Sequence, residues 1–250
     1  MSLILISTLI IQAQRGDLLK YGKLCEMSVG NIKKLLEDFP PELVDLTIQN
    51  PNDRDVVEVY KIVYSTIDTD GSPTYASGAI FIQSAPTPNA PFAAYMHGTI
   101  TSDNEAPSRL GGQESLLGWI LGADGYIGIL PDYLGLGNNP LFHPYCHATS
   151  EASASVDIII AAKHFVKKKY GFGGMPDLFL AGYSQGGHST VALQREIERN
   201  YNRDFHLIMN VAGSGPYCLS SIQRQFLLDN PDYARPAHIP YLILGYRSVY

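Results

Sequence analysis

The segment from Asp177 to Gly187 constrains the fold of this chain more than any other stretch. Its sequence is Asp-Leu-Phe-Leu-Ala-Gly-Tyr-Ser-Gln-Gly-Gly, so an apolar run typical of a strand ends in a Gly-x-Ser-x-Gly box. A helical pattern follows at once, from about His188 to Tyr201. Glycines on both sides of Ser184 allow a sharp turn in which a Cβ atom would be crowded. A strand, a sharp turn and a helix together form the context of a nucleophile elbow.

Ser184 is therefore the candidate nucleophile. The five-residue box alone is weak, because such boxes arise by chance. The strand before it and the helix after it strengthen the prediction. The alternative is a glycine-rich strand-to-helix connection in some other α/β protein.

The rest of the chain predicts an α/β fold with a mostly parallel sheet and helices on both faces, because strands and helices alternate from residue 92 onward. An antiparallel hairpin is expected first, and residues 16–39 are expected to be partly helical, with Ser28 as a helix cap. The six predicted strands cover residues 56–67, 76–83, 92–96, 126–130, 177–183 and 205–211. Helices are predicted at 113–121, 152–170, 188–201, 219–228 and 239–250.

Composition and charge narrow the function classes. Hydrophobic residues make up 45% of the chain and charged residues 17%, which favours a globular core over disorder. The formal net charge is −6, and no basic cluster is longer than Lys167-Lys168-Lys169, so no nucleic-acid partner is expected. Cys25, Cys146 and Cys218 match no metal motif and no disulfide framework. Two states remain open for these cysteines: one disulfide with one free thiol, or three free thiols. No metal or cofactor is predicted.

The N-terminus has an apolar run from Leu3 to Ile11 that is too short to span a bilayer. We interpret residues 1–14 as a signal peptide, although a basic segment before the run is missing. This predicts a secreted or periplasmic protein whose domain covers residues 15–250. A buried N-terminal strand or helix is the alternative.

The chain resembles the α/β-hydrolase superfamily, and within it the bacterial relatives of the fungal secretory lipase family. The residues that carry the resemblance are His97-Gly98-Thr99, Ala106-Pro107-Ser108, 131–137, His143-Pro144-Tyr145 and 182–188. The resemblance implies a sheet of about eight strands, of which six are predicted here. It also implies a serine esterase or lipase that cleaves small-molecule esters or lipids through an acyl-enzyme on Ser184, without a cofactor. A peptidase or acyltransferase of the same fold, or a non-catalytic binding protein, are the alternatives.

An oxyanion hole in this fold takes one donor from the residue after the nucleophile and one from the turn after an earlier strand. These positions are Gln185, through its backbone N–H, and Thr99, through its backbone N–H and hydroxyl. The alternative is that His97-Gly98 only forms a tight turn where the strand ends, with no role in an oxyanion hole. Asp132 precedes Ser184 in sequence, so we expect it to bind loop N–H groups rather than act as the triad acid. His143 is expected in a loop near the site entrance.

The base and acid of a triad should follow Ser184 in the order acid, then histidine. His188 lies one turn into the elbow helix, and His206 begins a strand at the wrong edge of the sheet, so neither is favoured as the base. Asp232 and His238 have the right order, but six residues cannot hold the strand and helix that normally separate acid from base.

We therefore expect the triad acid and histidine beyond Tyr250, with residues 219–250 as the start of a lid. On this interpretation the chain is C-terminally truncated, and residues 1–250 alone are inactive. A complete, non-catalytic protein is the alternative.

Overall fold

The structure is a computed structural model that describes residues 13–38, 48–230 and 232–250. These residues contain one seven-stranded mixed sheet with the strand order β1-β2-β3-β5-β4-β6-β7. The strands are β1 (Leu18–Ser28), β2 (Val56–Ile67), β3 (Pro73–Gln83), β4 (Phe92–Met96), β5 (Ile127–Pro131), β6 (Asp177–Tyr183) and β7 (His206–Gly213). Strands β1, β2, β3 and β5 pair antiparallel in that order, and β5, β4, β6 and β7 pair parallel. The predicted α/β-hydrolase type of fold is confirmed.

Six α-helices accompany the sheet in the described part of the chain. They are α1 (Val29–Glu37), α2 (Ser115–Ala123), α3 (Ala148–Tyr170), α4 (Gln185–Glu196), α5 (Arg224–Asp229) and α6 (His238–Arg247). Short 3-10 turns cover Asp103–Glu105 and Pro107–Arg109. The π-helical segment Ile197–Tyr201 extends α4, and the π-helical segment Leu219–Gln223 precedes α5.

Two apolar cores lie on opposite faces of the sheet, because side chains alternate along each strand. On β3, Ile80 and Ile82 face the core under α3, whereas Ala79 and Phe81 face the core under α1 and α2. Burial of both faces is the arrangement that a mostly parallel sheet requires.

The described ranges of the chain form seven strands, one more than predicted. The additional strand is β1, in a region where the sequence suggested partial helix. Its residues are mostly exposed and have little alternation of polar and apolar side chains. It is a strand because it pairs with β2, from Leu18 opposite Tyr64 to Ser28 opposite Val56. The predicted cap is confirmed, since the Ser28 side chain accepts a hydrogen bond from the Asn31 N–H at the start of α1.

The register of the central strands determines where the candidate site lies. Met96, the last residue of β4, pairs with Gly182 near the end of β6. The turn that starts at His97 and the turn at Ser184 are therefore neighbours at the carboxyl edge of the sheet. In open α/β sheets this edge is where ligands bind.

Residues 1–12 of the predicted signal peptide lie outside the described residues. No helix in the described ranges combines the length and apolar character needed to cross a membrane. Cys25, Cys146 and Cys218 are all free thiols, so the structure has no disulfide among them.

Candidate active site

Ser184 occupies the turn between β6 and α4 with φ 57° and ψ −121°. A positive φ is uncommon for a residue with a side chain, and residues held this way cluster at functional sites. Two backbone hydrogen bonds hold the turn. The Ser184 N–H donates to the Gly213 carbonyl at 2.9 Å, and the His188 N–H donates to the Ser184 carbonyl at 3.2 Å. The predicted strand, sharp turn and helix around this serine are confirmed.

The two glycines of the box are required by close backbone contacts. A Cβ atom on Gly186 would overlap the Met96 carbonyl oxygen at the end of β4. A Cβ atom on Gly182 would overlap the Gly186 carbonyl in the same turn. The elbow therefore packs directly against the strand that leads to His97 and Thr99.

Ser184 lines a cavity of about 290 Å³. Much of its wall comes from the segment that follows β7. The apolar residues that line it are Pro216, Leu219, Phe226, Leu227, Ile239 and Leu242, and the polar side chains are Tyr145, Cys146, Ser214, Gln223, Tyr233 and His238. A serine at a sharp turn beside a mostly apolar cavity with a few polar groups fits the general form of a small-molecule site.

The candidate oxyanion donors lie in the two adjoining turns. Gln185 is the first residue of α4, and the first N–H groups of a helix have no partner within that helix. In the other turn, Glu114 accepts the Gly98 N–H at 2.9 Å, so Gly98 is already engaged. The Thr99 hydroxyl shares a hydrogen bond of 2.8 Å with the Tyr145 hydroxyl. The Thr99 backbone N–H has no partner among the described residues.

A buried carboxylate lies behind the elbow. Glu151, in the first turn of α3, is 1% exposed, and Gln185 is fully buried. Glu151 Oε1 accepts from Gln185 Nε2 at 2.8 Å, and Glu151 Oε2 accepts from His188 Nδ1 at 2.7 Å. His143 Nε2 lies 2.7 Å from the same Gln185 nitrogen.

The protonation states of the two histidines are consistent with this network. Burial lowers the pKa of His143 to about 4, so the ring is neutral at pH 7. Its Nδ1 donates to the Leu134 carbonyl at 2.6 Å, which leaves Nε2 to accept from Gln185. Burial opposes a charge on His188, but the hydrogen bond and the attraction to Glu151 outweigh it and raise the pKa of His188.

Cys146, Glu151 and His188 are the described residues that most resemble a set of metal ligands, with donor atoms within 4.8 Å of one another. The 2.7 Å separation of Glu151 Oε2 and His188 Nδ1 is that of a hydrogen bond. Two such atoms bound to one tetrahedral zinc ion at about 2.0 Å would lie roughly 3.3 Å apart. Burial and the Glu151 charge also raise the pKa of the Cys146 thiol, which favours the protonated form. The arrangement is that of a histidine–carboxylate pair.

The other candidate histidines lie in different places. His206 is exposed and pairs with Asp177 at 2.8 Å, at the opposite end of β6 from Ser184. His238 lines the same cavity as Ser184. Burial and the nearby Arg235 charge lower the pKa of His238. In the described residues no carboxylate bonds to the His238 ring.

Asp132 is fully buried and has the structural role that the sequence predicted. Its Oδ1 accepts the Ser108 N–H at 2.8 Å, and its Oδ2 accepts the Ser77 hydroxyl. His143 is more central than predicted, since it contacts Gln185 directly instead of only packing near the entrance.

Sequence reasoning missed Glu151 entirely, because no motif contains it. One signal was available. Glu151 directly precedes the run Ala-Ser-Ala-Ser in α3, whose residues 150–159 are all buried. A single carboxylate beside so many small residues indicates a polar contact inside the protein.

No protein-family model matches the chain, and no curated protein matches it significantly. Several solved structures are similar to it. A protein of Legionella pneumophila with a provisional hydrolase assignment is 31% identical, with a TM-score of 0.77 over 93% of this chain and 61% of that one. The rice cell wall degrading esterase LipA from Xanthomonas oryzae is 31% identical, with a TM-score of 0.71 over 87% of this chain and 54% of that one.

Candida antarctica lipase A in its closed state is 17% identical, with a TM-score of 0.56 over 83% of this chain and 43% of that one. At that identity the likeness concerns the fold alone. The chain spans between about two fifths and three fifths of the length of these three proteins.

Proposed function

We propose that this chain, which its sheet and its solved neighbours identify as an α/β-hydrolase superfamily relative, cleaves carboxylic esters through an acyl-enzyme on Ser184. The observation that carries the proposal is the position of Ser184. It sits at a positive φ between β6 and α4 and lines a largely apolar cavity. The solved neighbour LipA is named a cell wall degrading esterase, which favours ester over amide chemistry.

The proposed reaction has two displacement steps. Ser184 Oγ attacks the ester carbonyl carbon while a base takes its proton, and the carbonyl oxygen becomes an oxyanion. The backbone N–H groups of Gln185 and Thr99 donate to that oxygen. The intermediate collapses, the alcohol leaves with the proton held by the base, and the acyl group stays on Ser184. Water then attacks the acyl-enzyme, which releases the carboxylic acid and restores the serine.

The mechanism needs a base that takes the proton of the Ser184 hydroxyl. A triad acid and histidine beyond Tyr250 stay a prediction. His238 is the alternative, because its side chain reaches the Ser184 cavity. His188 and His206 are engaged with Glu151 and Asp177. If His238 is the base, His238→Ala will remove covalent labelling of Ser184. If the base lies elsewhere, labelling will persist in that variant.

The cavity wall supports an acyl chain as the bound group. Residues 219–250 contribute most of its apolar side chains, as expected for a lid over the site. We therefore propose ester or lipid substrates with an acyl chain of several carbons. Rates with p-nitrophenyl esters from acetate to palmitate test this, and a monotonic decline from acetate would contradict it.

Several finer expectations remain proposals. A secreted or periplasmic location is supported by the neighbour named a cell wall degrading esterase. A signal peptide at 1–14 and a kinship with secretory lipases stay predictions. A peptidase or acyltransferase of the same fold is the second candidate, and comparison of peptide p-nitroanilides with p-nitrophenyl esters would separate it. A non-catalytic binding protein is the third.

The decisive experiment is labelling of the full-length protein with a fluorophosphonate. We expect one adduct on Ser184, absent in Ser184→Ala. Ser189→Ala is the matched control, because Ser189 is a buried serine on the same helix. Unchanged labelling of Ser184→Ala would refute the assignment.

A further inference from the structure

We infer that Glu151 is a positioning residue for the oxyanion hole, because its carboxylate fixes the side chain of Gln185. The kinetic consequence rests on the proposed function, in which the Gln185 backbone N–H is a donor to the oxyanion. The structural consequence rests only on hydrogen bonds between described residues.

Both oxygens of Glu151 bind the first turn of α4. One accepts from Gln185 Nε2 at 2.8 Å, and the other accepts from His188 Nδ1 at 2.7 Å. His143 Nε2 accepts the second proton of the Gln185 nitrogen at 2.7 Å. The start of α4 is thus held from two directions, by the first turn of α3 and by the loop after β5.

Stability alone does not explain a carboxylate at this place. A buried charge is costly unless it is paired and hydrogen-bonded, and well-packed apolar residues often replace a buried ion pair without loss of stability. The location of Glu151 in the first turn of α3 lowers the cost, since a helix N-terminus favours negative charge. Two directed hydrogen bonds fix the geometry of α4 in a way that apolar contacts do not.

The geometry matters because an oxyanion donor must lie within a few tenths of an ångström of its correct place. The Gln185 side chain and backbone N–H share one Cα atom, so a fixed side chain restricts the peptide plane. The preceding residue, Ser184, is held at φ 57° and can relax if the anchor is lost. Glu151 therefore acts on the transition state through Gln185 and not by touching substrate.

The test uses the full-length protein, p-nitrophenyl butyrate and three variants. Glu151→Leu and Gln185→Ala should each lower kcat about 10- to 100-fold with KM changed less than about threefold, since a misplaced group costs up to about 10²-fold. Either single variant already loses the hydrogen bond between Glu151 and Gln185, so the double variant should be slowed by clearly less than the product of the two single effects.

Two further variants separate positioning from general disturbance. Glu151→Gln should restore most of kcat, because its carbonyl can accept from Gln185 and its amide can donate to Nδ1 of a neutral His188 ring whose proton is on Nε2. The matched control is Glu198→Leu. Glu198 Oε1 accepts from Gln194 Nε2 at 2.7 Å on the exposed extension of α4, which is the same chemistry away from the elbow. That variant should leave kcat unchanged.

Amide deuterium exchange gives a readout that needs no activity. In Glu151→Leu, peptides spanning residues 182–190 should exchange about tenfold faster than in the native protein, while β2 and β3 peptides stay unchanged. Faster exchange across the whole sheet would indicate a general structural role and overturn the inference. If Glu151→Leu does not fold, exchange is measured in Gln185→Ala instead, with the same expected result.

The outcomes distinguish the two proposals. If Ser184→Ala abolishes hydrolysis but Glu151→Leu keeps its kcat, the proposed function stands and the inference fails. If Ser184→Ala stays active, the proposed function fails, and the exchange of the elbow peptides still decides whether Glu151 anchors α4. Unchanged exchange in Glu151→Leu overturns the inference in either case.

Discussion

The elbow and the segment that covers it are built in different ways. Around Ser184, backbone atoms of β4, β6 and β7 lie in direct contact, and Glu151 and His143 bind the buried side chain of Gln185. The segment 219–250 instead exposes large apolar side chains, among them Ile222 at 68% and Ile243 at 62%. The contacts around Ser184 therefore fix the backbone of the elbow, whereas the segment 219–250 leaves several large apolar side chains exposed.

Tyrosines of α6 contact the loops that follow β4 and β5. The Tyr241 ring stacks on Tyr145 at 4.7 Å, and its hydroxyl donates to the Ile100 carbonyl at 3.1 Å. The Tyr246 hydroxyl donates to the Cys146 carbonyl at 3.2 Å. Changes at the elbow should therefore alter catalysis and stability, and changes in α6 should alter substrate preference.

The largest expected effect concerns residues 1–250 expressed alone. Strand β7 lies at one edge of the sheet and carries exposed Met209 and Val211, and an exposed apolar edge invites association. If the triad histidine lies beyond Tyr250, we expect a drop of about 10³-fold or more in ester hydrolysis. The exposed edge should also make the protein poorly soluble. Size-exclusion chromatography and p-nitrophenyl butyrate measure both. A monomeric, active product would place the base within these residues, and His238 would be tested first.

Gly186→Ala should break the elbow. Its new Cβ would overlap the Met96 carbonyl, which is backbone and cannot move aside cheaply. We expect a loss of about 3–4 kcal/mol in the free energy of unfolding, as for severe overpacking, and no Ser184 labelling. Gly174→Ala is the matched control, since an added Cβ there meets nothing within 4 Å. Equal unfolding midpoints for the two variants would show that the elbow tolerates displacement.

Acid should lower the free energy of unfolding, because His143 is buried in its neutral form. Burial lowers its pKa from 6.5 to about 4, so the native state binds fewer protons than the unfolded state between these values. Stability should therefore fall as the pH drops from about 6.5 to 4, by up to about 3 kcal/mol. Urea unfolding at pH 7 and pH 5 measures the effect. His143→Asn should reduce the pH dependence, and an equal slope in both proteins would contradict the assignment.

Tyr241→Phe and Tyr241→Ala should have the smallest effects and act on substrate preference. The alanine variant loses the stack on Tyr145, worth about 0.5–1.5 kcal/mol. We expect KM for a long-chain ester to rise about three- to tenfold while kcat for acetate stays within about twofold. The phenylalanine variant keeps the stack and should resemble the native protein. A fall in kcat for acetate would show that α6 contributes to the elbow.

The sequence predicted the parts of the fold that are encoded locally. The apolar run, glycine box and helix at 177–201 specify the elbow in one continuous segment, and alternation in β2 and β3 specifies a hairpin with two buried faces. Strand β1 escaped prediction because its partners in β2 lie 28 to 46 positions away in the chain and its own side chains are mostly exposed. Glu151 escaped for the same reason, since its contacts with Gln185 and His188 exist only after α3 packs against α4.

The pairing of Met96 with Gly182 has a consequence for the order of events during folding. The two turns that would hold an oxyanion come from segments more than eighty residues apart in the chain. Neither turn can form its half of the site until β4 and β6 lie side by side. A serine-reactive probe applied during refolding would therefore report when the central sheet is complete. Labelling of Ser184 should appear later than the helical signal in circular dichroism. A nascent chain that ends before about residue 190 would not react with the probe.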